Sequence, residues 1–296
     1  MRLHHHLKFW FNYLCGNYPH KRVGPTPDEI KRIEYYCSAN NWHLANPVTA
    51  NSVVSNIGSG YRYDWYQIFD KSDTRQCAVK FGDVTNEFDQ PTFTKSRPIQ
   101  GIKNNNILLP LDSIRHLTFI NDETSFKSKK NNAVWRGACY QEHRKLFLQQ
   151  CAGIDSCDIA DTSSYAAKDL FGRPKSYRSF KQQLNSKFIF AIEGTDVASN
   201  LKWIMGSNSI PVMPKPKYET WFCESKLIPG EHYIEIADDF SDTEYVIDNH
   251  LSKPKLCNEI SEAGKEYAAP YLFKERQFSL AREVAERYFD LVEKHI

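Results

Sequence analysis

The stretch KFIFAIEGTDVASNLKWIMGSNSIPVM, residues 187–213, decides the fold class. Phe188 to Ile192 is an unbroken apolar run, as expected of a strand buried on both faces. Glu193-Gly194-Thr195-Asp196 makes a turn. Val197 to Met205 reads as a helix, with Gly206 placed to end it. Ile210 to Met213 is then the next strand. Strand, glycine turn, helix and strand form a βαβ unit, so the chain is predicted to be an α/β protein with a parallel sheet.

Working outward, Ala133-Val-Trp135 reads as another buried strand, followed directly by Arg136-Gly137. A helix is expected from near Gln141, carrying Arg144. Residues 164–186 read as a polar loop and then a helix over Tyr177 to Leu184. Further upstream, Cys77 to Phe81 is a strand that stops at Gly82-Asp83. Residues 46–71 suggest strands or loops, 86–110 mostly irregular chain, and 111–119 is ambiguous. Thr26-Pro27-Asp28-Glu29 has the cap, proline and acids of a helix start, with Ile30, Ile33 and Cys37 on one face. The chain closes with an amphipathic helix whose apolar face is Phe278, Ala281, Ala285, Tyr288 and Val292. No internal repeat occurs.

With 296 residues, 41% hydrophobic and 25% charged, the chain suits a soluble globular protein of one large or two ordinary domains. A net charge of +2 argues against a nucleic-acid binder. Eight cysteines form no CxxC pair, which argues against a zinc knuckle or thioredoxin-type site. Cys151 and Cys157 read as buried free thiols, and the cysteine usage leans towards a reducing compartment. The opening MRLHHHLKFWFNYLCG has no clean cleavage pattern and is too short to span a bilayer. It reads as an ordinary first element or, less favoured, as a segment lying in a membrane interface.

Two places could bind an anion. Arg136 stands past the end of a buried strand, where open α/β sheets bind ligands, and Arg144 follows on the next helix. The alternative is that Arg136 pairs with a surface acid. The Gly194 turn exposes N–H groups, with Ser199, Asn200 and Lys202 on the first turns of the expected helix. Its alternative is a plain βα turn. No Asp-x-Asp motif is present anywhere in the chain, so no metal site is expected, and arginine, lysine and helix N-termini would have to supply positive charge. Asp83, after a strand and a glycine, is the candidate general base; the alternative is a turn-forming aspartate.

The segments Ala133-Val-Trp-Arg-Gly137 with Arg144, Lys187 to Gly194 through Ser199-Asn-Leu-Lys202, and Leu227-Ile-Pro-Gly-Glu-His-Tyr-Ile234 resemble glycosyltransferase family 90. Phe81-Gly-Asp-Val84, Phe93-Thr-Lys-Ser-Arg-Pro98 and Ile114-Arg-His116 are similar to its bacterial branch in particular. The family spans bacterial lipopolysaccharide-modifying transferases, fungal capsule transferases and animal protein O-glucosyltransferases of the Rumi type. The resemblance covers about residues 75–275.

It implies a GT-B-like fold, two Rossmann-type halves facing a cleft, with 1–130 as the acceptor side and 131–296 as the nucleotide-sugar side. It implies inverting, metal-independent transfer of a hexose or pentose from a UDP-sugar, with no other cofactor. Asp83 falls on the family's catalytic aspartate. Arg136, Gly137 and Arg144 fall on its RG…R pattern, and Lys202 on the donor-site lysine. Gly194, Ser199 and Asn200 would join the donor site, Asp161 and Thr162 the nucleoside pocket, and Lys95 and Arg97 the acceptor side. Asn200 stands where animal members carry arginine, which leaves the donor sugar open. The implied acceptor is a glycan or glycolipid, foremost lipopolysaccharide core. The protein would be cytoplasmic, with peripheral contact at the inner face of the cytoplasmic membrane. A protein O-glycosyltransferase and a non-catalytic sugar-nucleotide-binding module are the other readings.

Overall fold

Thr26 caps the first described helix as its sequence requires: its hydroxyl accepts the Glu29 N–H while the Glu29 carboxylate accepts the Thr26 N–H. The computed structural model describes residues 24–53, 59–101, 103–164, 166–168 and 176–295. The opening segment, with its possible membrane contact, lies outside them. Along the chain run α1 (Pro27–Tyr36), β1 (Val48–Thr49), α2 (Ser59–Ile68), β2 (Gln76–Lys80), β3 (Thr92–Thr94), β4 (Ser96–Pro98), β5 (Asn106–Leu108) and α3 (Ser113–His116). There follow β6 (Lys130–Gly137), α4 (Glu142–Cys151), β7 (Cys157–Asp161), α5 (Phe180–Gln183), β8 (Ser186–Phe190), α6 (Leu201–Met205) and β9 (Ile210–Met213). The last elements are β10 (Tyr218–Thr220), β11 (Ile234–Glu235), α7 (Thr243–Leu251), α8 (Pro254–Ala268) and α9 (Lys274–Glu293). The α/β class holds.

The chain divides into two units, the first made of 1–117, 218–222 and 273–296, the second of 118–217 and 223–272. This differs from a cut at 130/131: residues 118–130 join the second unit, and the C-terminal helix joins the first.

In the first unit, strands run in the order β1-β2-β3-β5, with β2, β3 and β5 parallel. A separate antiparallel pair joins β4 to β10. The C-terminal helix α9 buries Phe278, Ala281, Val284, Ala285, Tyr288 and Val292 here, the face its periodicity marks. The Tyr288 hydroxyl accepts the Ala78 N–H at 3.1 Å and donates to the Pro91 carbonyl at 2.9 Å, tying α9 to the strand layer. One sequence expectation fails in this unit. Residues 59–68 are helical rather than strand or loop, with buried Trp65 donating to the Ala50 carbonyl at 2.9 Å. Residues 86–110 are mostly irregular, as expected, but hold three short strands that the sequence did not mark. Each has only three residues, too few to show a period, and they are held by buried Phe93, Ile107 and Leu108.

The second unit carries a five-stranded, wholly parallel sheet in the order β11-β9-β8-β6-β7. Trp135, Phe147, Phe188, Phe190, Ile192, Ile210 and Val212 fill its core. The expected βαβ unit is present, but α6 begins at Leu201 rather than Val197. Likewise α5 is shorter than 177–184, starting where Ser179 forms a capping box with Gln182. Among the described residues no helix is long and apolar enough to cross a membrane.

Candidate active site

In each unit, charged residues gather at the carboxyl ends of parallel strands, where main-chain groups without sheet partners are available to ligands. In the first unit these ends belong to β2, β3 and β5. Gly82, at φ 95°, takes the left-handed turn that brings Asp83 out past β2. Ser96 fixes the next residue, donating to the Val84 carbonyl at 3.2 Å and accepting the Val84 N–H at 3.1 Å. Just past β3, Lys95 is 1% exposed and its Nζ lies 2.5 Å from Oδ1 of Asp83, whose side chain is 38% exposed. A buried ammonium thus orients a carboxylate that reaches solvent. The structure thus brings Asp83 and Lys95 together, a pairing the sequence did not anticipate.

Arg97 is not with them. Its Nε lies 2.7 Å from Glu219, it donates to the Asn106 and Tyr35 carbonyls, and it is buried. It is a structural tie between β4 and β10 rather than a group facing an acceptor.

The sequence reading missed Asp112, past β5. Asp112 sits at φ 54°, pairs with Arg115 at 3.1 Å, and feels the charges of both Lys95 and Asp83. Burial raises its carboxyl above the ordinary value, with Arg115 and Lys95 opposing. The signal was there: Asp112-Ser113 directly follows the apolar run Ile107-Leu-Leu-Pro-Leu111.

In the second unit, β7 follows β6 to one side of the sheet, while β8, β9 and β11 build to the other. The direction reverses between β6 and β8, making a topological switch point. Arg144 occupies it. Its guanidinium donates to the Glu193 and Ile192 carbonyls, each at 2.8 Å, and to the Ala138 carbonyl at 3.1 Å. These three carbonyls orient the guanidinium. Gly194 lies under it: a Cβ there would sit 3.4 Å from an Arg144 Nη. Helix α4 starts at the same place, with Gln141 making no side-chain cap and reaching Thr195 Oγ1 at 3.3 Å. Gly137 is required by packing, since a Cβ would fall 2.3 Å from the buried Trp135 ring.

Beside this point, Asp161 closes β7. It accepts the Cys139 N–H at 3.1 Å and the Ser163 N–H at 2.8 Å. Burial works to raise its pKa, but the bonds from Ser163 and Cys139 prevail and leave it low. Thr162 donates its N–H to the Gly137 carbonyl at 2.9 Å. The exposed Tyr140, which the sequence did not single out, accepts the Ser164 N–H at 3.0 Å.

Four residues expected at the anion site stand differently. Arg136 is spent on its neighbours: the Ser176 carbonyl at 2.5 Å and the Asp158 carboxylate at 2.6 Å. The alternative of an ion pair with a surface acid describes it. Lys202 is fully buried in an ion pair with equally buried Glu224, so it does not face solvent. Asn200 donates to the Phe190 carbonyl at 2.8 Å, and Ser199 lies in the turn before α6. With only five residues, α6 offers little of the helix dipole expected of a longer element. No group of three or more metal-binding side chains occurs among the described residues.

A family model described as Glycosyl transferase family 90 matches residues 101–295. The chain is also similar to O-glucosyltransferase LpsA of Dichelobacter nodosus, 38% identical over 282 residues, which is 92% of this chain and 88% of that protein.

Proposed function

The chain belongs to glycosyltransferase family 90 and is a glycosyltransferase; from that premise we propose that it moves a hexose or pentose from a UDP-sugar to a glycan or glycolipid acceptor, with inversion and without a metal. The name of its bacterial relative makes glucose the first sugar to test, and lipopolysaccharide core the first acceptor. We read the architecture as GT-B-like because each unit holds a parallel sheet. The first unit would take the acceptor and the second the donor, at the cytoplasmic face of the membrane.

The observation that carries this reading is the switch point between β6 and β8, where Arg144, Gly194 and the start of α4 converge. A diphosphate there would meet a fixed guanidinium and first-turn N–H groups, which favour an anion. In the reaction, Asp83 takes the proton from an acceptor hydroxyl as that oxygen attacks the anomeric carbon. The bond from that carbon to the diphosphate oxygen breaks on the opposite face, and charge grows on the leaving group. Arg144 and the α4 amides stabilise that charge. Asp161 and Thr162 border the place for the nucleoside. Arg136 and Lys202 hold the donor unit together rather than touching the phosphates.

Release of nucleoside diphosphate, followed over a panel of nucleotide-sugars with lipopolysaccharide as acceptor, tests the proposal. UDP-glucose should turn over, and a chelator should leave the rate unchanged. A strict requirement for manganese, or nucleotide binding without any turnover or donor hydrolysis, would overturn it. The second outcome would favour a non-catalytic binding module.

A further inference from the structure

The first unit also buries a carboxylate that the reaction as described does not use. Asp64, on α2, is 1% exposed. Its Oδ2 accepts the Ser113 N–H at 2.7 Å and its Oδ1 accepts the Ser113 hydroxyl at 2.5 Å. Both contacts fall on the residue directly after Asp112, the non-glycine residue held at φ 54° and ψ 43°. A left-handed aspartate needs its neighbours to hold it there. The Arg115 and His116 N–H groups close the turn on the Asp112 carbonyl at 2.9 and 3.1 Å. The Asp112 carboxyl then lies within electrostatic reach of Lys95 and Asp83.

From this geometry we infer that Asp64 is a positioning residue for transfer: by clamping Ser113 it fixes the strained Asp112 turn, and through Asp112 it sets the charge environment of the Lys95–Asp83 pair. The inference rests on Asp83 being the base. An isolated buried carboxylate costs several kcal/mol, so its retention calls for a partner that benefits. The groups facing Asp64 are Lys274 from α9, Ser113 from α3 and Asp112 from the preceding turn. Burial lifts its carboxyl to about 7, against the lowering influence of Lys274 and Ser113. Asp64 therefore changes charge near neutrality beside Asp112, which in turn faces Lys95 and Asp83.

The test is the pH profile of kcat in the full chain. Wild type should show an inflection near pH 7, with the rate changing as Asp64 ionises. Asp64→Asn keeps the shape and removes the charge, so the inflection should vanish. Its kcat should fall on the order of 10- to 100-fold, as small misplacements of a reacting group do, with the donor KM unchanged. Ser113→Ala covers the case in which Asp64→Asn does not fold. It removes a bond that stabilises the carboxylate, so the inflection should move upward, with a loss of about threefold. An Asp64→Asn enzyme with wild-type kcat and profile, or a Ser113→Ala inflection that does not move, would overturn the inference. If Asp83→Asn retained turnover instead, the base assignment would fail, a result separate from either.

Discussion

The carboxyl edges of the two parallel sheets handle charge in opposite ways. In the first unit, a carboxylate is held towards solvent by a buried ammonium. In the second, the exposed edge carries Arg144 on neutral carbonyls, while Arg136 and Lys202 are taken up by acids. A group that must gain or lose a proton benefits from a nearby partner of opposite charge and open access. A group that must attract an anion benefits from being held in a fixed direction. One edge is suited to proton transfer and the other to anion capture, and the nature of the partner, not the sign of the residue, draws the distinction.

The sharpest way to break the comparison is Asp83→Asn. Transfer should fall on the order of 100- to 10,000-fold, the usual worth of a general base. UDP affinity, measured by calorimetry, should stay within twofold, about the level of a minor contact. Near-normal turnover would end the role given to the first edge. Next comes Lys202→Met, which leaves Glu224 buried without a cation and should cost about 3–5 kcal/mol in denaturant unfolding. If it weakened UDP binding with stability intact, Lys202 would belong to the donor site after all.

Arg144→Lys retains the charge but cannot span three carbonyls, and UDP affinity should drop about tenfold. An unchanged Kd would move the anion site elsewhere. The smallest effect concerns acid stability of the first unit. A hydrogen bond from Arg276 holds Glu29 down to about 2. Because that value is below the ordinary one, its stabilisation is present above about pH 4.5 and is lost as pH falls towards 2. Glu29→Gln should flatten this dependence, with a change of about 1 kcal/mol or less.

The fold of the second unit was the more legible in sequence because its strands are apolar and continuous. Phe188 to Ile192 and Ala133 to Trp135 announce themselves, and Gly194 marks the turn between strand and helix. The first unit was harder to read: β3, β4 and β5 have three residues each, and their pairing depends on residues distant in sequence. Site residues divide along the same line. Asp83, Arg144 and Gly194 could be named from local pattern, since strand ends and turns are local, whereas Lys95 came only from the family resemblance. That Lys202 pairs with Glu224 and Arg97 with Glu219 could not be seen, because each partner comes from a different segment. Arg136 was the middle case, with an ion pair foreseen but Asp158 not named.

Because α9 supplies so much of the first unit's interior, the order of synthesis runs against the order of folding. A ribosome completes residues 118–272 before it makes the helix against which Phe93 and its neighbours pack. The second unit can mature while the first waits with Phe93 and its neighbours uncovered. A premature stop near residue 272 should therefore ruin the segment made earliest and spare the one made just before the stop.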